Sequence, residues 1–346
     1  MARVAINGFG RIGRAAFKIA LDMQGLEVAA INDLIPSDNL AYLLKYDTVY
    51  GRYEKDVRSE NNSLVVDGKD YPLLGEEDLA KLPWGDMGVD IVLECTGVFT
   101  KRPDLEKHLR AGAKTVILSA NAKSDDIPTI IYGVNRPEGK ERIISCASCT
   151  TNCVTPVVEV VGRRIGIEKA IMTTVHAYTA TQALVDGPSE AGKFRRGRAA
   201  AANLVPTTTG AAKATAKALT EYKAKFDAVA VRVPVPAGSI SDIVFVTKRA
   251  TSVDEVNNIL REEAGSDRYR QVMGCSDEPL VSSDVVKDPR ASIIDLGMTQ
   301  VVDGNLVKIM SWYDNEWGYA GQMIREAMEV SGIPVSAEAF AGSASL

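Results

Sequence analysis

Five cysteines and only two histidines carry most of the nucleophilic and proton-transfer chemistry open to this 346-residue chain. Three of the cysteines fall within eight positions, in Ser145-Cys-Ala-Ser-Cys149-Thr-Thr-Asn-Cys153, where strand character gives way to helix. A thiol on the first turn of a helix meets the positive end of the helix dipole, which favours thiolate and lowers the thiol pKa. Backbone N–H groups beside it can hold the oxyanion formed by attack on a carbonyl. Cys149 fits that position best, since Cys146 lies before the helix and Cys153 a turn into it, while Cys95 and Cys275 read as packing residues. The partner base is sought among the histidines, because imidazole titrates near neutrality. His108 lies in the charged helical stretch Leu105-Glu-Lys-His-Leu-Arg110 and reads as a surface residue. His176 follows the apolar run Ala170–Val175 and opens an irregular loop, the setting in which functional side chains concentrate. The expected pair is Cys149 with His176. Cys146-Ala-Ser-Cys149 is also a C-x-x-C pattern, so a redox dithiol is a competing reading, with a Cys146–Cys149 or Cys149–Cys153 disulfide as a side reaction. A zinc site would need a second C-x-x-C or an H-x-x-x-H, and the chain has neither, so no metal is expected.

A second constellation opens the chain. Gly8-Phe-Gly10-Arg-Ile-Gly13 lies between a strand-like Arg3–Asn7 and a helical Arg11–Met23. Gly8 permits the tight turn, Gly10 lets the backbone approach a pyrophosphate, and Gly13 permits close helix–strand packing. The phosphates would rest on the helix N-terminus, whose N–H groups and dipole favour negative charge. Asp33 ends the next strand, twenty positions beyond Gly13. A carboxylate there accepts ribose hydroxyls and repels a 2′-phosphate, which points to NAD rather than NADP. The competing reading is a glycine-rich turn in some other βαβ unit.

Elements that position these groups follow from the patterning. Short β-branched runs alternate with helices up to about residue 150, implying a parallel sheet. Beyond it come longer strand-like runs, Ala228–Val235, Ser241–Lys248, Ser292–Leu296 and Leu306–Trp312, joined with few regular helices. The expected fold is α/β: an N-terminal Rossmann-type parallel sheet in residues 1–150, then an α+β catalytic domain on a mixed or antiparallel sheet in 151–316. A C-terminal helix at about 317–333 is expected to pack back on the first domain, with 334–346 as a tail. The length suits two domains at roughly 150 residues each. A formal charge of −5 argues against nucleic acid or an anionic membrane as the main partner. No stretch approaches the roughly 18 apolar residues of a membrane span, and the N-terminus lacks a signal-peptide core, so the expected location is cytoplasmic.

Six ordered motifs resemble phosphorylating glyceraldehyde-3-phosphate dehydrogenases, across residues 1 to about 333. They are Asn7-Gly-Phe-Gly-Arg-Ile-Gly-Arg14, Ala147-Ser-Cys-Thr-Thr-Asn152, Val175-His-Ala-Tyr-Thr179, Pro206-Thr-Thr-Thr-Gly-Ala-Ala-Lys213, Val231-Arg-Val-Pro234 and Trp312-Tyr-Asp-Asn-Glu-Trp-Gly-Tyr319. The resemblance implies attack of Cys149 on glyceraldehyde 3-phosphate, His176 as base, hydride transfer to NAD and phosphorolysis of the thioester to 1,3-bisphosphoglycerate. It also puts Arg11, Ile12, Asp33, Ser119 and Asn315 on NAD, with Asn315 orienting the nicotinamide amide. Thr179 and Arg232 are implied to hold the substrate's phosphate, and Ser148, Thr150, Thr209 and Gly210 the attacking phosphate. An arginine of the irregular loop joins this site in the family, and Arg195-Arg196 leaves two choices for it. A homotetramer is implied as well. Gly187-Pro188 keeps the proline associated with NAD-using members. Cys146 stands where the family usually has Asn, and Asn121 where it usually has Pro. Two other functions compete: an erythrose-4-phosphate dehydrogenase, and a redox-sensing binding protein on the same scaffold.

Overall fold

A computed structural model describes residues 1–335, so the expected tail lies outside the described residues from 336 on. The chain divides into two compact units. One holds Met1–Tyr132, Arg136–Ala147 and the described residues from Ala320 onward; the other holds Gly133–Asn135 and Ser148–Tyr319. The described part of the last helix, α7 (Trp317–Val330), is thus shared between them.

In the first unit the strands are β1 (Ala2–Asn7), β2 (Leu26–Asn32), β3 (Tyr46–Asp47), β4 (Gly51–Arg52), β5 (Val57–Glu60), β6 (Ser63–Val66), β7 (Lys69–Leu74), β8 (Ile91–Glu94), β9 (Thr115–Leu118) and β10 (Ile143–Ser145). Helices α1 (Arg11–Asp22), α2 (Ser37–Lys45) and α3 (Arg102–Arg110) connect them. Eight strands form one sheet in the order β10-β9-β8-β1-β2-β7-β6-β5, parallel from β10 to β7. The strand order reverses at β1, which is flanked by β2 on one side and β8 on the other. The crevice beyond the carboxyl end of such a strand is where open α/β sheets bind their ligands. One face packs Ala5, Ala29, Ala30, Val92 and Ala113 around the fully buried Trp84. The antiparallel extension β5–β7 is a feature that the alternating reading left out. Its turns are local: Asn61-Asn62 and Asp67-Gly68 all have positive φ, as two-residue hairpin turns require.

The second unit contains α4 (Cys149–Arg164), β11 (Ile167–Ala177), β12 (Val205–Thr208), α5 (Ala211–Ala218), β13 (Phe226–Val233), β14 (Ser239–Thr247), α6 (Val253–Ala264), β15 (Met273–Ser276), β16 (Ser292–Val302) and β17 (Leu306–Tyr313). Its seven strands run β12-β13-β11-β14-β17-β16-β15, with β11/β13 and β15/β16 parallel and the rest antiparallel. The sheet is therefore mixed, and α6 is a regular helix that the reading of this half did not include. The pleat sorts the chemistry. Met172, Thr174 and His176 point to one face and Ile171, Thr173 and Val175 to the other. The first set is buried with α4 against its sheet, whereas Ile171, Val229, Val302 and Leu306 on the other side are exposed. Among the described residues no helix is long and apolar enough to cross a membrane.

Candidate active site

Helix α4 begins at Cys149 itself. Ser148 caps it, its hydroxyl accepting from the Thr151 N–H at 3.2 Å. The partly exposed Cys149 Sγ lies 3.4 Å from His176 Nε2. His176 is buried one residue before the end of β11, so the strand rather than the following loop holds it. Its Nδ1 lies 2.7 Å from the Ala177 carbonyl, and with the ring proton on Nδ1 the nitrogen facing sulfur, Nε2, is an acceptor. Tyr313 supports the pair. Its buried hydroxyl bridges Thr150 Oγ1 at 2.9 Å and Thr174 Oγ1 at 2.8 Å, and its ring meets the imidazole edge-on at 5.9 Å. Burial pushes the Cys149 thiol up, against the pull of Arg232 and the Thr150 N–H and hydroxyl. That reverses the lowering expected from the helix dipole alone: a dipole acts within the first turn, and the cost of desolvating a thiolate exceeds it here. Burial and the Arg232 charge push His176 the same way in effect, down to about 3. Thiol and imidazole are both neutral, and a proton passing between them changes no net charge.

Arg232 is the in-register parallel partner of His176, on the same face of the sheet. One guanidinium nitrogen lies 2.9 Å from both His176 Nδ1 and the Ala177 carbonyl, while Nε–H is buried without a partner. The adjacent arginines of the irregular loop part company. Arg196 donates to Thr207 Oγ1 at 3.0 Å, and its charge is felt by both His176 and Arg232. Arg195 instead lines a cavity with Phe194, Pro206, Thr207 and Val229. Thr150 is buried beside Cys149. Gly210 caps α5, and Thr209 Oγ1 accepts the Ala211 N–H. Thr179 lies beyond β11 with its hydroxyl on Thr181. Asn315 is buried; its side-chain oxygen accepts from Ser239 Oγ at 3.0 Å, and that same hydroxyl accepts the Ala177 N–H at 3.1 Å. Asp314 folds the turn into α7 by accepting the N–H groups of Glu316 and Trp317, and it also accepts that of Lys287. Sequence reasoning passed over Tyr313 and Ser239. Tyr313 lay inside a recognised motif, and its place facing β11 follows only from the β14/β17 pairing.

The first unit carries the glycine turn. Gly8 has φ +92, and a Cβ there would lie 2.6 Å from the Thr96 backbone nitrogen; at Gly13 it would lie 2.1 Å from the Gly8 carbonyl oxygen. Gly10, by contrast, faces open space, and no side chain caps the helix it begins. Asp33 is pinned beside this turn, accepting from Phe9 N at 2.6 Å and Ile35 N at 3.0 Å. These features fit a dinucleotide: an uncapped helix start, a bare approach at Gly10 and a fixed carboxylate at the end of β2. Ile12 follows Arg11 in the first turn of α1. Arg11 pairs with Asp47 at 2.6 Å, and Ser119 follows β9. His108 does not lie on the surface. It is fully buried, bonded to Trp84 and Glu94, because it falls three residues after Leu105 on the inward stripe of α3. Cys95 and Cys275 are partly exposed rather than buried, and Cys146 and Cys153 are the buried thiols.

Comparison with known proteins gives two family matches: residues 2–102 to the glyceraldehyde 3-phosphate dehydrogenase NAD-binding domain, and residues 148–315 to the C-terminal domain of the same family. A glyceraldehyde-3-phosphate dehydrogenase of Clostridium pasteurianum is 47% identical over 330 residues, 94% of this chain and 97% of the relative. One from Geobacillus stearothermophilus is 48% identical over 93% of this chain and 96% of its own length. One from Streptomyces coelicolor is 47% identical over the same shares.

Proposed function

The chain belongs to the glyceraldehyde-3-phosphate dehydrogenase family, and from that premise we propose how its own residues divide the work of the reaction. It is an NAD-dependent enzyme that oxidises glyceraldehyde 3-phosphate, with phosphate, to 1,3-bisphosphoglycerate. The observation that carries the assignment of roles is the 3.4 Å approach of Cys149 Sγ to His176 Nε2, the acceptor when the ring proton sits on Nδ1 beside the Ala177 carbonyl.

Cys149 is the nucleophile. His176 takes the thiol proton as sulfur bonds to the aldehyde carbon, and the N–H groups of the first turn of α4 hold the developing oxyanion. His176 returns that proton to the oxyanion, giving the thiohemiacetal hydroxyl, and takes it back as the carbon–hydrogen bond breaks. Bound NAD supplies the hydride acceptor. Gly8, Gly10, Arg11, Ile12, Gly13, Asp33 and Ser119 are the residues that would hold it, with Asn315 presenting its amide N–H₂ because Ser239 occupies the oxygen. The product is a thioester. A phosphate oxygen attacks its acyl carbon, and the sulfur leaves as thiolate to be reprotonated by His176. Thr179 and Arg232 hold the substrate's phosphate, the unpartnered Arg232 Nε–H being a donor suited to an anion. Ser148, Thr150, Thr209 and Gly210 hold the incoming phosphate. Arg196 rather than Arg195 completes that site, because its charge reaches His176 and Arg232. The exposed apolar side chains Ile171, Val229, Val302 and Leu306 support burial of that sheet face in a homotetramer. A cytoplasmic location suits thiols that are not spread as a disulfide framework.

Initial rates of NADH formation with glyceraldehyde 3-phosphate and with erythrose 4-phosphate, each with and without inorganic phosphate, test the reading. Turnover of the three-carbon aldehyde that requires phosphate supports it; turnover indifferent to phosphate overturns the phosphorylating step.

A further inference from the structure

Glu94 ends β8 wholly buried, and four donors converge on its carboxylate. Asn7 Nδ2 donates to Oε2 at 2.5 Å, and His108 Nε2 lies 3.1 Å from the same oxygen. Thr96 gives Oε1 both its backbone N–H, at 2.8 Å, and its hydroxyl. The tautomer of His108 is set from behind. The Trp84 indole N–H can only donate, and it lies 3.0 Å from Nδ1, so Nδ1 accepts and the ring proton sits on Nε2, facing Glu94. The chain of bonds continues through Asn7 Oδ1, which accepts from Asn32 Nδ2 at 2.7 Å. Asn32 in turn is clamped to both the N–H and the carbonyl of Glu76, each at 3.0 Å.

These residues stand at the carboxyl ends of three neighbouring strands, β1, β2 and β8. Asn7 immediately precedes Gly8, and Asn32 immediately precedes Asp33. The Thr96 nitrogen held by Glu94 is the atom that a Cβ at Gly8 would strike. We infer that Glu94 and His108 are positioning residues for the dinucleotide: through Asn7, Asn32 and Thr96 they set the spacing of the strand ends that carry the glycine turn and Asp33. They fix cofactor affinity without touching either the thiol or the substrate. A glutamine cannot stand in for Glu94. Its N–H₂ would face donors on either side, Asn7 and His108 on one and Thr96 on the other. His108 cannot answer by moving its proton, because Trp84 already occupies Nδ1.

The inference rests on NAD as the cofactor, so calorimetric titration of the parent chain with NAD comes first and checks that premise by itself. The same titration is then run on Glu94→Gln, on the milder His108→Gln, which keeps the carboxylate and its other donors, and on Val116→Ala. Val116 is buried in β9 among Leu105, Leu118, Ile127 and Ile143, and it makes no side-chain hydrogen bond. Steady-state constants and melting temperatures with and without saturating NAD accompany the titrations. We expect both network variants to bind NAD about tenfold more weakly or worse, with a matching rise in KM for NAD and kcat and KM for the aldehyde within about twofold. Val116→Ala lowers the melting temperature and leaves the dissociation constant alone. NAD binding within twofold of the parent in His108→Gln overturns the inference. So does an equal loss of affinity in Val116→Ala at equal loss of stability, which would reduce the network to a structural role. Should Glu94→Gln not fold, His108→Gln decides.

Discussion

His176→Asn removes the imidazole that faces the Cys149 thiol, and the structure sets the size of the loss. An ordinary thiol is about 3% ionised at pH 7, and burial moves Cys149 further from ionisation, not nearer. The parent avoids that shortage by handing the proton 3.4 Å to a neutral imidazole. The same nitrogen is needed again when the thiohemiacetal hydroxyl gives up its proton. General-base transfer contributes about 10²–10⁴ in rate, so two uses of one base set the expected fall at about 10³ or more, or about 4 kcal/mol of barrier. Single-turnover formation of NADH, with enzyme in excess and followed by stopped-flow absorbance, reads the affected step directly. The variant's rate should climb about tenfold per pH unit as hydroxide replaces the lost base, whereas the parent, whose His176 titrates near 3, should be flat from pH 5 upward. A folded, NAD-binding His176→Asn protein with a single-turnover rate within about tenfold of the parent would refute the assignment.

Other expectations follow from separate observations. Arg196→Ala should raise the KM for inorganic phosphate by about tenfold or more, whereas Arg195→Ala, whose side chain lies with Phe194 and Val229, should change it less than twofold; phosphate titration of the initial rate separates them. Gly13→Ala places a methyl 2.1 Å from the Gly8 carbonyl oxygen, so calorimetry should find NAD binding lost or the protein markedly destabilised, and an unperturbed titration would contradict the packing. Glu326 is buried with neither carboxylate oxygen hydrogen-bonded, and burial raises it from 4.5 to about 8. The folded chain then keeps a proton that the unfolded chain releases near pH 4.5, so this group's contribution is fully present below that pH and is lost as pH rises to 8, at about 1.4 kcal/mol per unit. Urea midpoints should show Glu326→Gln gaining on the parent between pH 5 and pH 8, and a parallel pH dependence would remove Glu326 as the cause.

Much of this was legible because a few local signals coincide with the topology. The glycine turn and Asp33 were readable since strand, turn and helix are contiguous and the fingerprint needs no distant partner. Cys149 was readable because a strand-to-helix junction shows in the residue types. Its ionisation was misjudged, since burial is a property of everything packed around α4 and not of the junction. His108 was misread for a related reason: the lysine, glutamate and arginine around it dominate the composition, yet Leu105 and His108 share one face of α3 and that face is inward. Arg195 and Arg196 could not be told apart because adjacent residues of a 3₁₀ turn project about 120° from one another, and only the fold says which of them bonds to β12. Ser239 left no trace at all. Its role depends on β14 lying beside β11 while Asn315 lies beyond β17.

The in-register pairing of His176 with Arg232 bears on how this gene can change by insertion and deletion. The two side chains come from strands 56 positions apart in sequence, with the irregular loop and α5 between them. Residues gained or lost in that intervening stretch are absorbed by loop closure, whose cost grows only slowly with length. A single codon lost inside β13, between Phe226 and Val231, is another matter. It would slide the strand by one pleat, turn Arg232 to the exposed side with Ile171 and bring Val231 or Val233 under the imidazole. Length variants recovered from a random library should therefore cluster in the irregular loop and be absent from six consecutive codons of one strand.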